Sequence, residues 1–114
     1  MTTDESARVE VVMEIFRDGR VLALSGPLDG RSTSLVREAI YDHLSAYDEG
    51  VVIDLTDVQW IDATALRMLA VATRHAERQG QYLTLRGCTP HLRRVLHHSR
   101  LRALLELEGG AATA

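Results

Sequence analysis

Lysine is absent from this sequence: all 13 of its basic residues are arginine. That absence excludes Schiff-base chemistry, a phosphate-loop lysine and the lysine that a response-regulator receiver needs. Cysteine occurs once, at Cys88, so no internal disulfide can form and a reducing compartment is expected. Aromatic residues make up only 4% of the chain against 46% for hydrophobic residues as a whole, so the core must be aliphatic. No apolar run approaches the roughly 20 residues that span a bilayer. Met1 to Ala7 also lacks the charged-then-apolar pattern of a signal peptide. A cytoplasmic protein without direct membrane insertion is expected. Excess positive charge is missing too. The 13 basic residues face 16 acidic ones, a net of −3, which disfavours nucleic acid as a partner. Nucleophile-elbow, zinc-ligand-helix and Gly-rich phosphate-cradling patterns are all missing, so no enzyme, no metal and no cofactor is expected.

What is present, in 114 residues, is one domain's worth of chain. The small polar ends, residues 1–7 and 109–114, read as disordered tails around a folded unit over residues 8–108. Val9 to Phe16 alternates apolar residues at period two, and Asp18-Gly19 is a hairpin signal leading to a return strand over Val21 to Ser25. Gly26-Pro27 stops that strand. From Arg31 to Tyr47 the period turns helical, with Val36, Ile40, Leu44 and Tyr47 on one face. Val51 to Leu55 is a short apolar run that reads as a strand covered on both sides. A helix over about Ala63 to Gln79 follows, with Ala65, Leu66, Leu69, Ala70, Thr73 and Ala76 as its apolar stripe and Arg67, Arg74 and Arg78 opposite. Gln81 to Arg86 reads as a fourth strand. Thr89-Pro90 starts a further helix, and Leu101 to Leu107 reads as a short helical piece. The order β-β-α-β-α-β-α-α predicts an α/β fold: a single mixed β-sheet with helices packed on it.

The most unusual stretch is Val51 to Leu69, VVIDLTDVQWIDATALRML. A buried strand leads through a short loop to Asp62, which stands where a helix N-cap belongs and can accept from the free first-turn amides. Thr64 comes just after that cap, at a corner held between a strand and a helix. This run resembles the signature of STAS domains, the family of anti-sigma-factor antagonists. Its members read apolar-apolar-apolar-Asp-Leu and, some residues on, Asp-Ser-Ser/Thr-Gly-Leu. Ser25-Gly26-Pro27-Leu28-Asp29 resembles the family's Gly-x-Leu-Asp loop. Leu83 to Pro90 with Val95-Leu96 resembles its last strand and third helix, so the likeness runs from about Val9 to Leu107.

The resemblance implies a partner-switching regulator that binds an anti-sigma factor which is also an ATP-binding Ser/Thr kinase. In that scheme, phosphorylation of the first hydroxyl residue after the Asp breaks the complex. Here that residue is Ala63, and the following Gly is Ala65. Thr64 matches the second hydroxyl position and is the candidate phosphoacceptor. The implied partner-binding set is Asp29, Asp62, Ala63, Thr64 and Arg67, with an antagonist that is either constitutive or switched through Thr64. Two other roles stay open for a STAS domain: an accessory subunit of a membrane transporter of lipids or anions, and a scaffold in a stress complex.

Blander assignments stand beside these. Thr64 reads as a first-turn residue chosen for local hydrogen bonding, Asp62 as a helix cap alone, and Asp29 as a turn residue or cap. The arginine stripe of the second helix reads as a solvated face, and His91, His97 and His98 as a helix surface. Trp60 either packs the loop down or touches a partner. The oligomeric state is left open.

Overall fold

The computed structural model describes residues 12–98 and 106–107. Strands lie at Glu14–Asp18 (β1), Val21–Ser25 (β2), Gly50–Asp57 (β3), Tyr82–Arg86 (β4) and Glu106–Leu107 (β5). Helices lie at Thr33–Ala46 (α1), Ala63–Arg78 (α2) and Pro90–His98 (α3). The sheet order is β1-β2-β3-β4-β5, the same as the chain order. β1 and β2 form the expected antiparallel hairpin at one edge, and β2, β3, β4 and β5 then pair in parallel. The hairpin closes through Gly19 and Arg20 between the paired Asp18 and Val21. Gly19 supplies the positive φ, +59°, that lets a two-residue loop follow the strand twist.

The parallel crossovers all step in one direction across the sheet, so the connecting helices fall on one face of it. Cross-strand register shows the division. Leu22, Leu24, Val51, Ile53, Leu55, Leu83 and Leu85 point toward the helices and join a single core with Val36 and Ile40 of α1, Leu69 and Ala72 of α2, and Leu92 and Leu96 of α3. The opposite face carries Phe16, Ala23, Asp54 and Arg86 in one cross-strand row, with Val21, Val52 and Thr84 in the next. β3 is buried on both sides as its apolar run predicts, Val52 being only 4% exposed, but the described helices cover one side alone. Gly50 opens β3 at φ +122°, where a Cβ would run into the backbone of Tyr82; the close approach lets β3 and β4 pair from their first residues.

Two expectations change. The first strand is displaced toward the turn, to Glu14–Asp18 rather than Val9 to Phe16; Val9 and Val11 lie outside the described residues, as do the tails at 1–7 and 109–114. The final helical piece is also not seen where it can be described. Glu106–Leu107 is a strand, with Thr84 paired to Glu106 and Leu85 to Leu107, and residues 101–105 lie outside the description. A short leucine-rich run fits either period. The unpaired edge of β4 decides between them, because extended pairing satisfies its exposed N–H and C=O groups.

Leu69 sits fully buried at the middle of α2, over the sheet. Leu69→Ala is expected to cost about 3 kcal/mol through lost burial and a residual cavity, read as a lower urea midpoint with an unchanged slope.

Candidate functional site

Beyond the ends of β2 and β3 the chain keeps two segments side by side. The Gly26 N–H donates to the Asp57 carbonyl at 3.2 Å, the Leu28 N–H to the Trp60 carbonyl at 3.4 Å and the Asp62 N–H to the Leu28 carbonyl at 3.2 Å, with Leu28 and Ile61 forming a parallel bridge. These bonds bring the Asp29 loop and the Asp62 corner, 33 positions apart in sequence, to one place. The Asp62 carboxylate completes the join. Its Oδ1 accepts from the Ala65 N–H at 2.9 Å, which caps α2 as the sequence predicts. Its Oδ2 accepts from the Gly30 N–H at 3.0 Å and so pins the other loop. One side chain thus starts the helix and fixes its neighbour.

The expected site residues differ in what they offer. Ala63, Thr64 and Arg67 are exposed on the first turn and a half of α2. Thr64 makes no side-chain hydrogen bond among the described residues. Asp62 is half-buried. Asp29 is only 7% exposed, and its carboxylate serves its own turn: Oδ1 accepts from the backbone N–H of Arg31 at 2.9 Å and of Ser32 at 3.3 Å, and Oδ2 pairs with the Arg31 guanidinium at 3.2 Å. In return the Asp29 N–H donates to the Ser32 Oγ at 3.0 Å. Desolvation pushes the Asp29 carboxyl up, but the Arg31 N–H, the Arg31 guanidinium and the Ser32 N–H together hold it below its ordinary value. Asp29 therefore shapes the loop, and its neighbours Gly30 and Arg31 are the exposed parts.

Trp60 is 46% exposed and lines an open cleft of about 390 Å³ with Ser25, Gly26, Pro27, Asp57 and Gln59. The sequence singled out Trp60 but not Asp57 or Gln59 as part of this surface. Their one signal was position, in the loop that follows the central strand. Asp54 lies on the sheet face opposite the described helices, where the Thr56 hydroxyl and N–H donate to its Oδ1 at 2.6 and 2.9 Å and Arg86 stands 3.9 Å from its Oδ2. Desolvation raises the Asp54 carboxyl, yet the two Thr56 donors and the Arg86 charge outweigh it and hold it below the usual range. Burial pushes the Cys88 thiol up against the pull of Arg93, so this cysteine is a poor nucleophile. No described helix is long and apolar enough to cross a membrane.

A strand-to-helix corner fixed by its own hydrogen bonds thus presents bare first-turn side chains. The model of the family described as "Mlab, STAS domain" matches residues 13–106, and the chain belongs to that family. The family is a non-enzymatic, regulatory one. A STAS-domain containing protein of Pseudomonas aeruginosa is 27% identical over 92 residues, covering 79% of this chain and 90% of that protein. The crystal structure of an anti-sigma factor antagonist from Mycobacterium paratuberculosis aligns with a TM-score of 0.68 at 20% identity, over 88% of this chain and 86% of that one. The Bacillus cell fate determinant SpoIIAA, in its phosphorylated form, aligns with a TM-score of 0.58 at 15% identity, over 90% and 97% of the two chains. At these identities the two structures establish the fold.

Asp62→Ala removes both the cap and the tie to Gly30, and is expected to lower stability by about 1–2 kcal/mol, whereas Asp62→Asn should retain most of it. Parallel urea titrations of the two variants measure the difference.

Because Asp54 is depressed in the fold, it stabilises the protein above an unfolded carboxylate pKa of about 3.9 and loses that contribution as pH falls through the folded value. The urea midpoint of Asp54→Asn should accordingly fall less than the wild type's between neutral pH and about pH 3.

Proposed function

We propose that this protein is an anti-sigma-factor antagonist that grips an ATP-binding anti-sigma factor of the Ser/Thr kinase type through the corner formed by Asp62, Ala63, Thr64 and Arg67, with the Asp29 loop beside it. The observation that carries this reading is the corner itself: Ala63 and Thr64 stand exposed at the start of α2 while Asp62, behind them, is committed to both the helix and the neighbouring loop. A partner meeting this surface pays little ordering cost, because the backbone is already fixed. Membership of the STAS family and the likeness to an anti-sigma factor antagonist support the role.

The chemistry at residue 63 determines how such a complex is controlled. A phosphate brings about −1.5 to −2 charges at neutral pH. At a helix N-terminus its own domain tolerates it, through the dipole and free amides. Inside an interface it must shed water beside Asp62, and a loss of about 1.4 kcal/mol already weakens binding tenfold. Alanine at position 63 has no oxygen to accept that phosphate, so control passes to Thr64 or is absent, leaving a constitutive antagonist.

The test uses purified ATP-binding anti-sigma factors from the organism that encodes this chain. One of them should bind the wild type, and Ala63→Asp should weaken that binding at least tenfold in isothermal titration calorimetry while leaving the circular dichroism of the variant unchanged. With ATP added, intact mass should show either no phosphate or one on Thr64. Undiminished binding by Ala63→Asp would remove the corner from the interface; co-purification with a transporter permease and ATPase instead would replace the partner.

A further inference from the structure

The outer faces of α1 and α2 carry opposite charge. On α2 the exposed line runs through Arg67, Val71, Arg74 and Arg78, and Glu77 is the one carboxylate in the helix. On α1 the exposed charges are Arg37, Glu38 and Asp42, and the acidic pair Asp48 and Glu49 follows the helix. None of Glu38, Asp42, Arg74 and Arg78 has an ion-pair partner among the described residues. Arg74 and Arg78, four positions apart, repel each other. Acids predominate on α1, where Glu38 and Asp42 stand with Arg37, and arginines on α2, where Arg67, Arg74 and Arg78 stand with Glu77.

The two helices both cross between parallel strands, so they run side by side in the same direction. The Tyr41 and His75 rings, 4.9 Å apart, set their relative height. That contact places Asp42, one residue beyond Tyr41, within about a turn of the heights of Arg74 and Arg78, which flank His75. Glu38 lies one turn before Tyr41, within about a turn of the height of Arg74. An open cleft of about 390 Å³ on α1, lined by Ser34, Arg37, Glu38, Tyr41 and Asp42, has room for an arginine head.

We propose that two copies of this chain associate through these faces about a two-fold axis parallel to the helices, the Arg74 and Arg78 of each copy received by the Glu38 and Asp42 of the other. Rotation about that axis preserves height and lays α1 of one copy on α2 of the second, so these heights carry over. A two-fold axis running across the helices would instead stack α1 on α1 and α2 on α2, like charge on like. Val71, 56% exposed, and Tyr41 provide apolar contact near the centre. The two helix faces offer roughly 450 Å² per copy, about 900 Å² in all and below the roughly 1,200–2,000 Å² of stable specific interfaces, so the dimer is weak, transient and salt-sensitive. Arg74 lies about 16 Å along α2 from Ala63, and the contact does not depend on the docking corner.

Sedimentation velocity of the full chain, from micromolar to millimolar concentration, tests this. The wild type should dimerise at low ionic strength and weaken at least tenfold at high ionic strength. R74E/R78E and E38R/D42R should each weaken the dimer at least tenfold, and an equimolar mixture of the two should regain it to within a few-fold, because both ion-pair sets are restored in the mixed dimer. Recovery in the mixture also shows that each variant is folded; R74Q/R78Q and E38Q/D42N, expected to weaken the dimer severalfold, replace any variant that loses its native circular dichroism. A wild type that stays monomeric at low salt, a dimer indifferent to the charge reversals, or folded variants that fail to complement would overturn the proposal. The Ala63→Asp variant should dimerise like the wild type.

Discussion

The strands of this domain are laid down in one direction, each parallel strand added beyond the last. Most of what the molecule presents follows from that. A sheet whose order reverses leaves a crevice between diverging helices at the switch point, and α/β proteins commonly bind small ligands there. A sheet that never reverses has no such crevice. All its described helices share one face, and its polar groups lie on strand-to-helix corners, on the outer sides of the helices and on the opposite face of the sheet, where Asp54, Thr56 and Arg86 meet. The corner after the central strand is held firmly, because β3 is hydrogen-bonded on both sides and α2 is anchored in the core by Leu69 and Ala72.

Electrostatics at the corner are arranged so that carboxylates serve the backbone first. Asp62 divides its two oxygens between the Ala65 and Gly30 amides, and Asp29 accepts from the Arg31 and Ser32 amides through Oδ1 while its Oδ2 takes the Arg31 guanidinium. Each acid thereby neutralises the orphan donors of a chain segment that would otherwise need water or a partner to satisfy them. The result is a surface whose shape is set before anything binds, with Arg67 exposed on the first turns of α2 and Arg31, paired with Asp29, exposed on the neighbouring loop.

Those parts of the fold whose physics is local were legible in the sequence. The apolar run of β3, the 3.6-residue period of α2 and the Asp62 cap each declare themselves within a few residues, and the structure places them within one or two positions. Non-local pairing was not legible. Nothing in Leu101 to Leu107 tells a helix from a strand until the open edge of β4 is known, and the register of Thr84 with Glu106 is a property of both segments together. The same holds at the site. That Asp29 and Asp62 belong to one surface depends on backbone bonds between two loops, Leu28 with Trp60 and Asp62 with Leu28, which leave no composition signal. The burial of Asp29 was equally hidden, since an Asp before Gly reads as an exposed turn until its amide partners are seen.

Residue 63 is a different kind of position. It is the first residue of α2, and its side chain is exposed. Asp62, not residue 63, caps the first turn by accepting from the Ala65 N–H, and the core of α2 begins at Ala65, two residues after Ala63. Serine and alanine differ there by a few tenths of a kcal/mol in helix propensity and by nothing in packing. The fold therefore leaves residue 63 free, and its chemistry is felt chiefly by whatever approaches the corner. A hydroxyl would offer that visitor a hydrogen bond and an enzyme a point of attachment. A methyl group offers a small apolar contact that no kinase can modify. An alanine at so unconstrained a site changes what the surface can become without changing the surface that presents it.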